Sequence, residues 1–292
     1  MCHFSGIVLS LLTVLFISFD IRLTVSYKPV VIIHGVITGN VSMSTISSRI
    51  LAHHPGTELH ITDRFAGWAS LAPMWHQVNE IGKDVMNISA AHPEGIHLIG
   101  YSQGGLIGRA ILEAFPQHNV HTFISLSSPQ AGQYGTQFLH LFFPSLACRT
   151  AYELFYSTVG QHTSVGNYWN DPHHQGLYFN YSRFLPYVNG ERRSGNGSSY
   201  KAGVARLRRM VLIGGPDDGV ITPWQSSHFG YFNEMEDVID FRERSAYVDD
   251  LFGLKTLDEQ RKLKVITVNG VNHLSWHRNI SVIDKYIVPF LD

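Results

Sequence analysis

This chain of 292 residues contains only two cysteines and has almost no net charge. Cys2 and Cys148 are the only cysteines, and Cys2 lies in an N-terminal segment that we expect to be removed. The mature chain could then form no internal disulfide, and we interpret Cys148 as a small buried hydrophobic residue. The formal net charge is −1, with no basic block and no acidic tail. This composition argues against a nucleic acid partner and predicts a globular protein with a large hydrophobic core.

No apolar run in the chain is long enough to cross a bilayer comfortably. One nearly unbroken run covers residues 7–19, and the small residues Thr24, Val25 and Ser26 follow it. This order predicts a cleaved signal peptide over residues 1–26, after which no transmembrane segment remains. Residues 1–6 contain no Lys or Arg, so an uncleaved anchor is the alternative.

Five Asn-x-Ser sequences follow the predicted signal peptide, and none has Pro in the middle position. Each is an acceptor site for N-glycosylation in the secretory pathway. The asparagines are Asn40, Asn87, Asn180, Asn196 and Asn279. Together with the signal peptide, they predict a lysosomal or secreted glycoprotein.

Apolar, β-branched runs alternate with helical patterns along most of the chain. The runs predict strands over residues 28–33, 59–62, 96–99, 122–126, 210–213 and 264–268. Apolar residues at helical spacing predict helices over residues 71–90, 106–112 and 282–290. Alternating strands and helices predict a mostly parallel sheet with helices on both faces, in one α/β domain over residues 27–292.

The segment 129–201 departs from this alternation because it has no long periodic stretch and is rich in aromatic residues. So many aromatic side chains must pack on another part of the protein. We interpret the segment as a cap inserted over the strand ends, whose inner face would line an apolar groove.

The most informative motif runs from Gly100 to Gly104, with Ser102 at its centre. An apolar run precedes this Gly-x-Ser-x-Gly pattern and a helical pattern follows it, as in a nucleophile elbow. The turn is so tight that a side chain at Gly100 or Gly104 would collide with the neighbouring strand or helix. The pattern therefore predicts Ser102 as a nucleophile.

Ser102 needs a base and an acid, which in an α/β-hydrolase follow it along the chain after later strands. Asp217 and Asp218 come after the strand at 210–213, and either could be the acid. His273 directly follows the loop after the strand at 264–268 and is the favoured base. His277, four residues further on, is the alternative.

Two backbone amides are predicted to bind the oxyanion: that of Gln103, after the nucleophile, and that of Val36, after the first core strand. Asp171, His173 and His174 are close in sequence, but adjacent histidines point in different directions and no third ligand has a useful spacing. The sequence therefore predicts no metal.

With these residues assigned, the chain resembles the palmitoyl-protein thioesterase family, and within it the palmitoyl-protein thioesterase 2 branch. The similarity covers residue 28 to the C-terminus. The matching strings are Lys28-Pro29-Val30, His34-Gly35, Gly100-Tyr101-Ser102-Gln103-Gly104-Gly105, Ser125-Leu126-Ser127-Ser128-Pro129-Gln130, Asn167-Tyr168-Trp169, Asp171-Pro172-His173-His174 and residues 212–227. The resemblance implies Ser102 as nucleophile, His273 as base and Asp218 as acid. The family's paired cysteines are absent here.

The resemblance also implies a lysosomal hydrolase of long-chain acyl thioesters that needs no cofactor. Its substrates would be acyl-CoA or an S-acylated small thiol, with S-acylated peptides as a further option. A secreted esterase or lipase that acts on oxygen esters is the alternative function. A second alternative is a binding glycoprotein with a hydrolase fold and no catalytic activity.

Overall fold

The structure is a computed structural model that describes residues 27–135, 148–192 and 197–292. The predicted signal peptide (1–26), Asn196 and the side chain of Cys148 lie outside the described residues. No helix in the described part of the chain has both the length and the apolar character that a bilayer crossing requires.

Six parallel strands form the central sheet in the order β2-β1-β3-β4-β5-β8, and β6 pairs with β7 in a separate antiparallel ribbon. The strands are β1 (Val30–Ile33), β2 (Leu59–Ile61), β3 (Ile96–Tyr101), β4 (Val120–Leu126), β5 (Arg209–Gly214), β6 (Tyr231–Phe232), β7 (Val238–Ile239) and β8 (Leu263–Thr267). The strand order reverses between β1 and β3. In such sheets, ligands bind at the carboxyl ends of the strands at this switch point.

Helices cover both faces of the sheet. They are α1 (Ser44–His53), α2 (Met74–Ala91), α3 (Gln103–Ala114), α4 (Cys148–Phe155), α5 (Ser164–Tyr168), α6 (Gln175–Tyr181), α7 (Leu185–Val188), α8 (Gly197–Ala205), α9 (Ser245–Val248), α10 (Leu254–Glu259) and α11 (Ile280–Tyr286). Successive β1 residues alternate between two buried clusters, because strand side chains point to opposite faces. One cluster contains α2 and α3, and the other contains α1 and α11. The predicted α/β-hydrolase arrangement of the sheet is confirmed.

Two predicted helices have different bounds in the structure. The helix predicted over 71–90 begins only at Met74, after Pro73, and a 3₁₀ helix occupies Gly67–Leu71. The helix predicted over 282–290 is split into α11 and a 3₁₀ turn at Val288–Phe290. Pro289 explains the split, since proline has no N–H to donate the backbone hydrogen bond that a continuing α-helix needs.

The aromatic segment contains four short helices, α4 to α7, within residues 148–192. Its largest aromatic side chains pack into the same cluster as α2 and α3; they are Phe155, Tyr168, Trp169, Tyr178 and Phe184. Phe138, Phe142 and Phe143 lie outside the described residues. The part of the segment that the structure describes is therefore packed against the hydrolase core.

Arg109 on α3 joins this segment to the core. Its side chain is fully buried and donates to Glu113, to the side chain and carbonyl oxygen of Gln130, to the Val188 carbonyl oxygen and to the Asn189 side chain, at 2.8–3.0 Å. All five guanidinium N–H groups have acceptors, as a buried charge requires. The helix that begins beside Ser102 is thus fixed against α7.

Candidate active site

Ser102 lies in the strained turn between β3 and α3, with backbone angles φ 54° and ψ −126°. A Cβ atom on Gly100 would lie 2.4 Å from the Gly104 carbonyl oxygen, and one on Gly104 would lie 2.3 Å from that of Ile33. Neither distance leaves room for a side chain, so the two glycines of the motif are sterically required. The Ser102 amide donates to the Leu126 carbonyl oxygen at 2.9 Å, which ties the turn to β4.

His273 reaches Ser102 from a 3₁₀ turn (His273–Ser275) that follows β8. Its Nε2 lies 2.9 Å from Ser102 Oγ, and its Nδ1 lies 2.9 Å from the nearer carboxylate oxygen of Asp218. The ring is also fixed through its backbone, because the His273 amide donates to the Asp218 carbonyl oxygen and Tyr101 Oη donates to the His273 carbonyl oxygen. This geometry suits a base that is held in one tautomer.

The Asp218 carboxylate is surrounded by donors. Besides His273, it accepts hydrogen bonds from Ser127 Oγ, from Trp276 Nε1 at 2.7 Å, and from two backbone amides, those of Val220 and Ile221. Burial alone would raise the pKa of this carboxyl. The His273 hydrogen bond and charge, Ser127 and the Ile221 amide outweigh burial and hold the pKa below its usual value. The carboxylate therefore stays ionised in acidic surroundings.

The two residues that the sequence left as alternatives are placed elsewhere. Asp217 is exposed and accepts a hydrogen bond from the Gly270 amide at 2.7 Å, so it links the loops after β5 and β8. The His277 ring packs against Tyr101, with ring centroids 4.5 Å apart, and its Nε2 accepts from Arg278. Burial, and to a smaller extent Arg278 and His273, lowers the pKa of His277 to about 4.

The loop after β1 passes directly over Ser102. A Cβ atom on Gly35 would lie 3.0 Å from the Ser102 Cβ. Among the described residues, neither the Val36 amide nor the Gln103 amide has a hydrogen-bond acceptor. Two free donors at the switch point could bind an oxyanion that develops at a carbonyl group attacked by Ser102.

Several supporting residues were missed by reasoning from the sequence. Ser127 could have been found, because it directly follows β4, which lies between the strands that carry Ser102 and Asp218. Trp276 resembles an ordinary core residue, and nothing in the sequence distinguishes it. The Ser70 hydroxyl accepts from the Ile37 amide at 2.7 Å, and the Ser70 carbonyl oxygen accepts from Gln103 Nε2 at 2.8 Å.

The predicted glycosylation positions lie at the surface or are half-buried. Asn40, Asn87 and Asn180 are exposed, and Asn279 is half-buried and caps α11. The histidines of the Asp171–His174 string separate, because His174 pairs with Asp171 at 3.0 Å while His173 pairs with Glu236 at 2.8 Å. In the described part of the chain, these three residues do not converge as a set of metal ligands.

Solved structures share the fold at low sequence identity. A lipase-esterase related protein from Clostridium acetobutylicum covers 92% of this chain and 96% of its own, with a TM-score of 0.52 and 12% identity. A Bacillus licheniformis lipase in mature form gives a TM-score of 0.52 at 11% identity, and covers 91% and 93% of the two chains. These similarities establish the fold alone.

Comparison at the sequence level is far more specific. The family model for palmitoyl protein thioesterase matches residues 29–273. The lysosomal thioesterase PPT2 homolog of Drosophila melanogaster is 52% identical over 97% of this chain and 99% of its own. Human lysosomal thioesterase PPT2 is 45% identical, over 91% and 88% of the two chains. The chain therefore belongs to the palmitoyl protein thioesterase family, and it is a lysosomal hydrolase of acyl thioesters.

Proposed function

We propose that Ser102, His273 and Asp218 hydrolyse long-chain fatty acyl thioesters through an acyl-enzyme intermediate. The observation that carries this proposal is the unbroken set of contacts from Ser102 Oγ through His273 to Asp218, with both distances from the imidazole at 2.9 Å. A serine hydroxyl becomes a useful nucleophile only when a positioned base removes its proton.

In the proposed reaction, Ser102 Oγ attacks the thioester carbonyl carbon while His273 Nε2 takes the hydroxyl proton. The amides of Val36 and Gln103 donate to the resulting oxyanion, and Asp218 stabilises the imidazolium. Collapse of the tetrahedral intermediate breaks the C–S bond, and the thiol leaves with the proton from His273. Water, deprotonated by His273, then attacks the acyl-enzyme and releases the fatty acid and free Ser102.

Exposed apolar residues that are close in sequence to the site residues support the long-chain preference. Leu274, next to His273, is 63% exposed, and Trp68, two residues before Ser70, is 75% exposed. Exposed apolar groups around a site favour an apolar ligand. Acyl-CoA and S-acylated small thiols are the proposed substrates, and S-acylated peptides are a further candidate.

A hydrolysis screen of purified protein tests this proposal. Acyl-CoA thioesters from short chains up to palmitoyl-CoA form a chain-length series, and an S-palmitoylated peptide and the matching palmitoyl oxygen ester are compared with palmitoyl-CoA, all below their critical micelle concentrations. We expect kcat/KM to rise with acyl chain length by roughly fourfold per buried methylene and then to plateau. A flat series would refute the long-chain preference, and faster hydrolysis of the oxygen ester would favour an esterase or lipase.

We also propose that the chain enters the secretory pathway through a signal peptide at residues 1–26. The remaining domain, 27–292, would carry glycans at Asn40, Asn87, Asn180, Asn196 and Asn279, and its cap would span about 129–201. The exposure of the first three asparagines supports this assignment. Glycosidase treatment should lower the apparent mass, and the mature protein should begin near Tyr27. An unshifted mass with an intact Met1 would contradict both assignments.

A further inference from the structure

A second cluster of potential ligands lies at the end of the sheet opposite Ser102. Glu58, His60 and His92 bring one ligand atom each to within 4.8 Å of the other two. Glu58 immediately precedes the edge strand β2, His60 lies within β2, and His92 ends α2. Glu58 and His60 thus stand at the amino end of the sheet, remote from the carboxyl ends where catalysis is proposed.

One nitrogen of each histidine in this cluster approaches the Glu58 carboxylate. His60 Nε2 lies 2.7 Å from one Glu58 oxygen, yet it is shielded from solvent and has no hydrogen-bond partner. His92 Nε2 lies 3.4 Å from the other Glu58 oxygen. Both imidazole nitrogens thus face the same carboxylate, and a cation between them could be bound by all three groups.

The backbone holds all three ligands in place. The Glu58 carbonyl oxygen accepts from the Val30 amide at 2.9 Å, and β2 pairs with β1. The His92 carbonyl oxygen accepts from the Gly95 amide and from the Asn119 side chain. Two imidazoles and one carboxylate, with an open side for water, form a donor set that binds zinc. Zinc–ligand bonds of about 2.0–2.2 Å place tetrahedral ligand atoms roughly 3.3 Å apart.

We propose that Glu58, His60 and His92 bind one Zn²⁺ ion, which would fasten β2 to the end of α2. The side chains are 53%, 32% and 27% exposed, so the ion can enter from solvent and water can complete its coordination. Imidazole nitrogens favour Zn²⁺ over Mg²⁺ or Ca²⁺. The site has no part in the proposed thioester chemistry.

Calorimetric titration of the purified full chain with Zn²⁺ at neutral pH tests the site. The control is His173→Gln, which removes an exposed histidine that lies 2.8 Å from Glu236 without a third ligand. Wild type and the control should bind one equivalent, and the double variant His60→Gln/His92→Gln should lose more than about 100-fold in affinity. Zn²⁺ should raise the melting temperature of the first two proteins only.

Thioesterase activity reports folding in every variant, because the cluster is remote from Ser102. Equal affinity in wild type and the double variant would overturn the proposal, as would the lack of saturable binding to wild type.

A separate observation concerns Ile37, which follows the proposed oxyanion donor Val36. Ile37 has φ 53°, a strained left-handed conformation that a β-branched residue rarely adopts. The Ile37 amide donates to Ser70 Oγ at 2.7 Å, and Ser70 Oγ donates to the Gly67 carbonyl oxygen at 2.6 Å. Ser70 thus holds the strained turn in place.

Ser70 is in turn attached to the helix that begins beside Ser102. Its carbonyl oxygen accepts from the side-chain amides of Gln77 and Gln103, both at 2.8 Å. We infer that Ser70 is a positioning residue that aims the Val36 amide at the oxyanion. This inference rests on the proposed function, because only a reaction with a developing oxyanion needs that amide in place.

Ser70→Ala should lower kcat by about 10-fold or more with little change in KM, because the Val36 amide that Ser70 positions would contact the oxyanion only in the transition state. Ser70→Thr keeps the hydroxyl and should recover part of kcat. The matched control is Ser226→Ala, since buried Ser226 also accepts from an amide and donates to a carbonyl oxygen. An equal loss of kcat in Ser226→Ala, or no loss in Ser70→Ala, would overturn the inference. If Ser102→Ala also kept its activity, the proposed function would fail as well.

Discussion

The two groups of residues around Ser102 differ in their hydrogen bonding. The proposed acid, Asp218, has its hydrogen bonds in place, whereas the proposed oxyanion donors have none in the part of the chain that the structure describes. On the acid side, the Asp218 carboxylate accepts hydrogen bonds from His273, Ser127, Trp276 and two backbone amides. On the oxyanion side, the Val36 and Gln103 amides have no acceptor among the described residues. A charge that exists in the resting enzyme must be compensated in advance. Donors for a charge that appears only in the transition state must stay free.

Replacement of the proposed nucleophile should have the largest effect on kcat, because both the acid and the oxyanion donors act through Ser102. Ser102→Ala should lower kcat on the order of 10⁴-fold or more, because no other hydroxyl occupies the strained turn. Steady-state hydrolysis of a palmitoyl thioester measures the loss, and the melting temperature checks the fold. A folded variant that kept a tenth of the activity would exclude Ser102 from the chemistry.

The next largest effect on kcat should distinguish Asp218 from its neighbour Asp217. Asp218→Asn should lower kcat by about 10⁴-fold, since His273 would lose the partner that fixes its useful tautomer. Asp217→Asn is the matched control, because an asparagine oxygen can still accept from the Gly270 amide. The opposite ranking of the two kcat values would assign the acid to Asp217.

A smaller effect is expected from one of the donors to Asp218. Ser127→Ala removes one hydrogen bond from the charged carboxylate and should lower kcat by about tenfold, with the other donors in place.

Ser127→Ala should also change how the stability of the protein falls at acidic pH. The folded pKa of Asp218 lies below its ordinary value, so its contribution is present above the unfolded pKa and is lost as pH falls through the folded pKa. Loss of the Ser127 donor should raise the folded pKa and shrink that contribution. Melting temperatures measured against pH should therefore fall at a higher pH in Ser127→Ala than in wild type. Superimposable curves would show that Ser127 does not stabilise the carboxylate.

The smallest effect is expected at His277, the alternative base. His277→Phe keeps an aromatic ring against Tyr101, and it removes no charge near neutral pH because the pKa of His277 is lowered to about 4. Its kcat should stay within about twofold of wild type, whereas His273→Phe should be inactive. A loss at His277 as large as that at His273 would reopen the choice of base.

Local patterns were sufficient to predict the fold and to select Ser102 and His273 as candidates, whereas they left Asp217 and Asp218 open and only the family resemblance favoured Asp218. Each candidate follows the carboxyl end of a β-strand, Ser102 directly and the others within a short loop, and parallel strands bring these ends together. The oxyanion side was only partly predictable. The sequence identified the amide positions, but the strain at Ile37 and its bond to Ser70 depend on contacts between residues 33 positions apart. Trp276 could not have been predicted either, because its role depends on where the 3₁₀ turn at His273–Ser275 places its ring.

The central claim is that Ser102 carries the acyl group during turnover. Mass spectrometry of an acid-quenched reaction with a palmitoyl thioester tests it most directly, because the acyl-enzyme is an oxygen ester that survives the quench. The account predicts one palmitoyl group on the peptide that contains Ser102 in wild type and none in Ser102→Ala. A palmitoyl group on another residue, in both proteins, would contradict it.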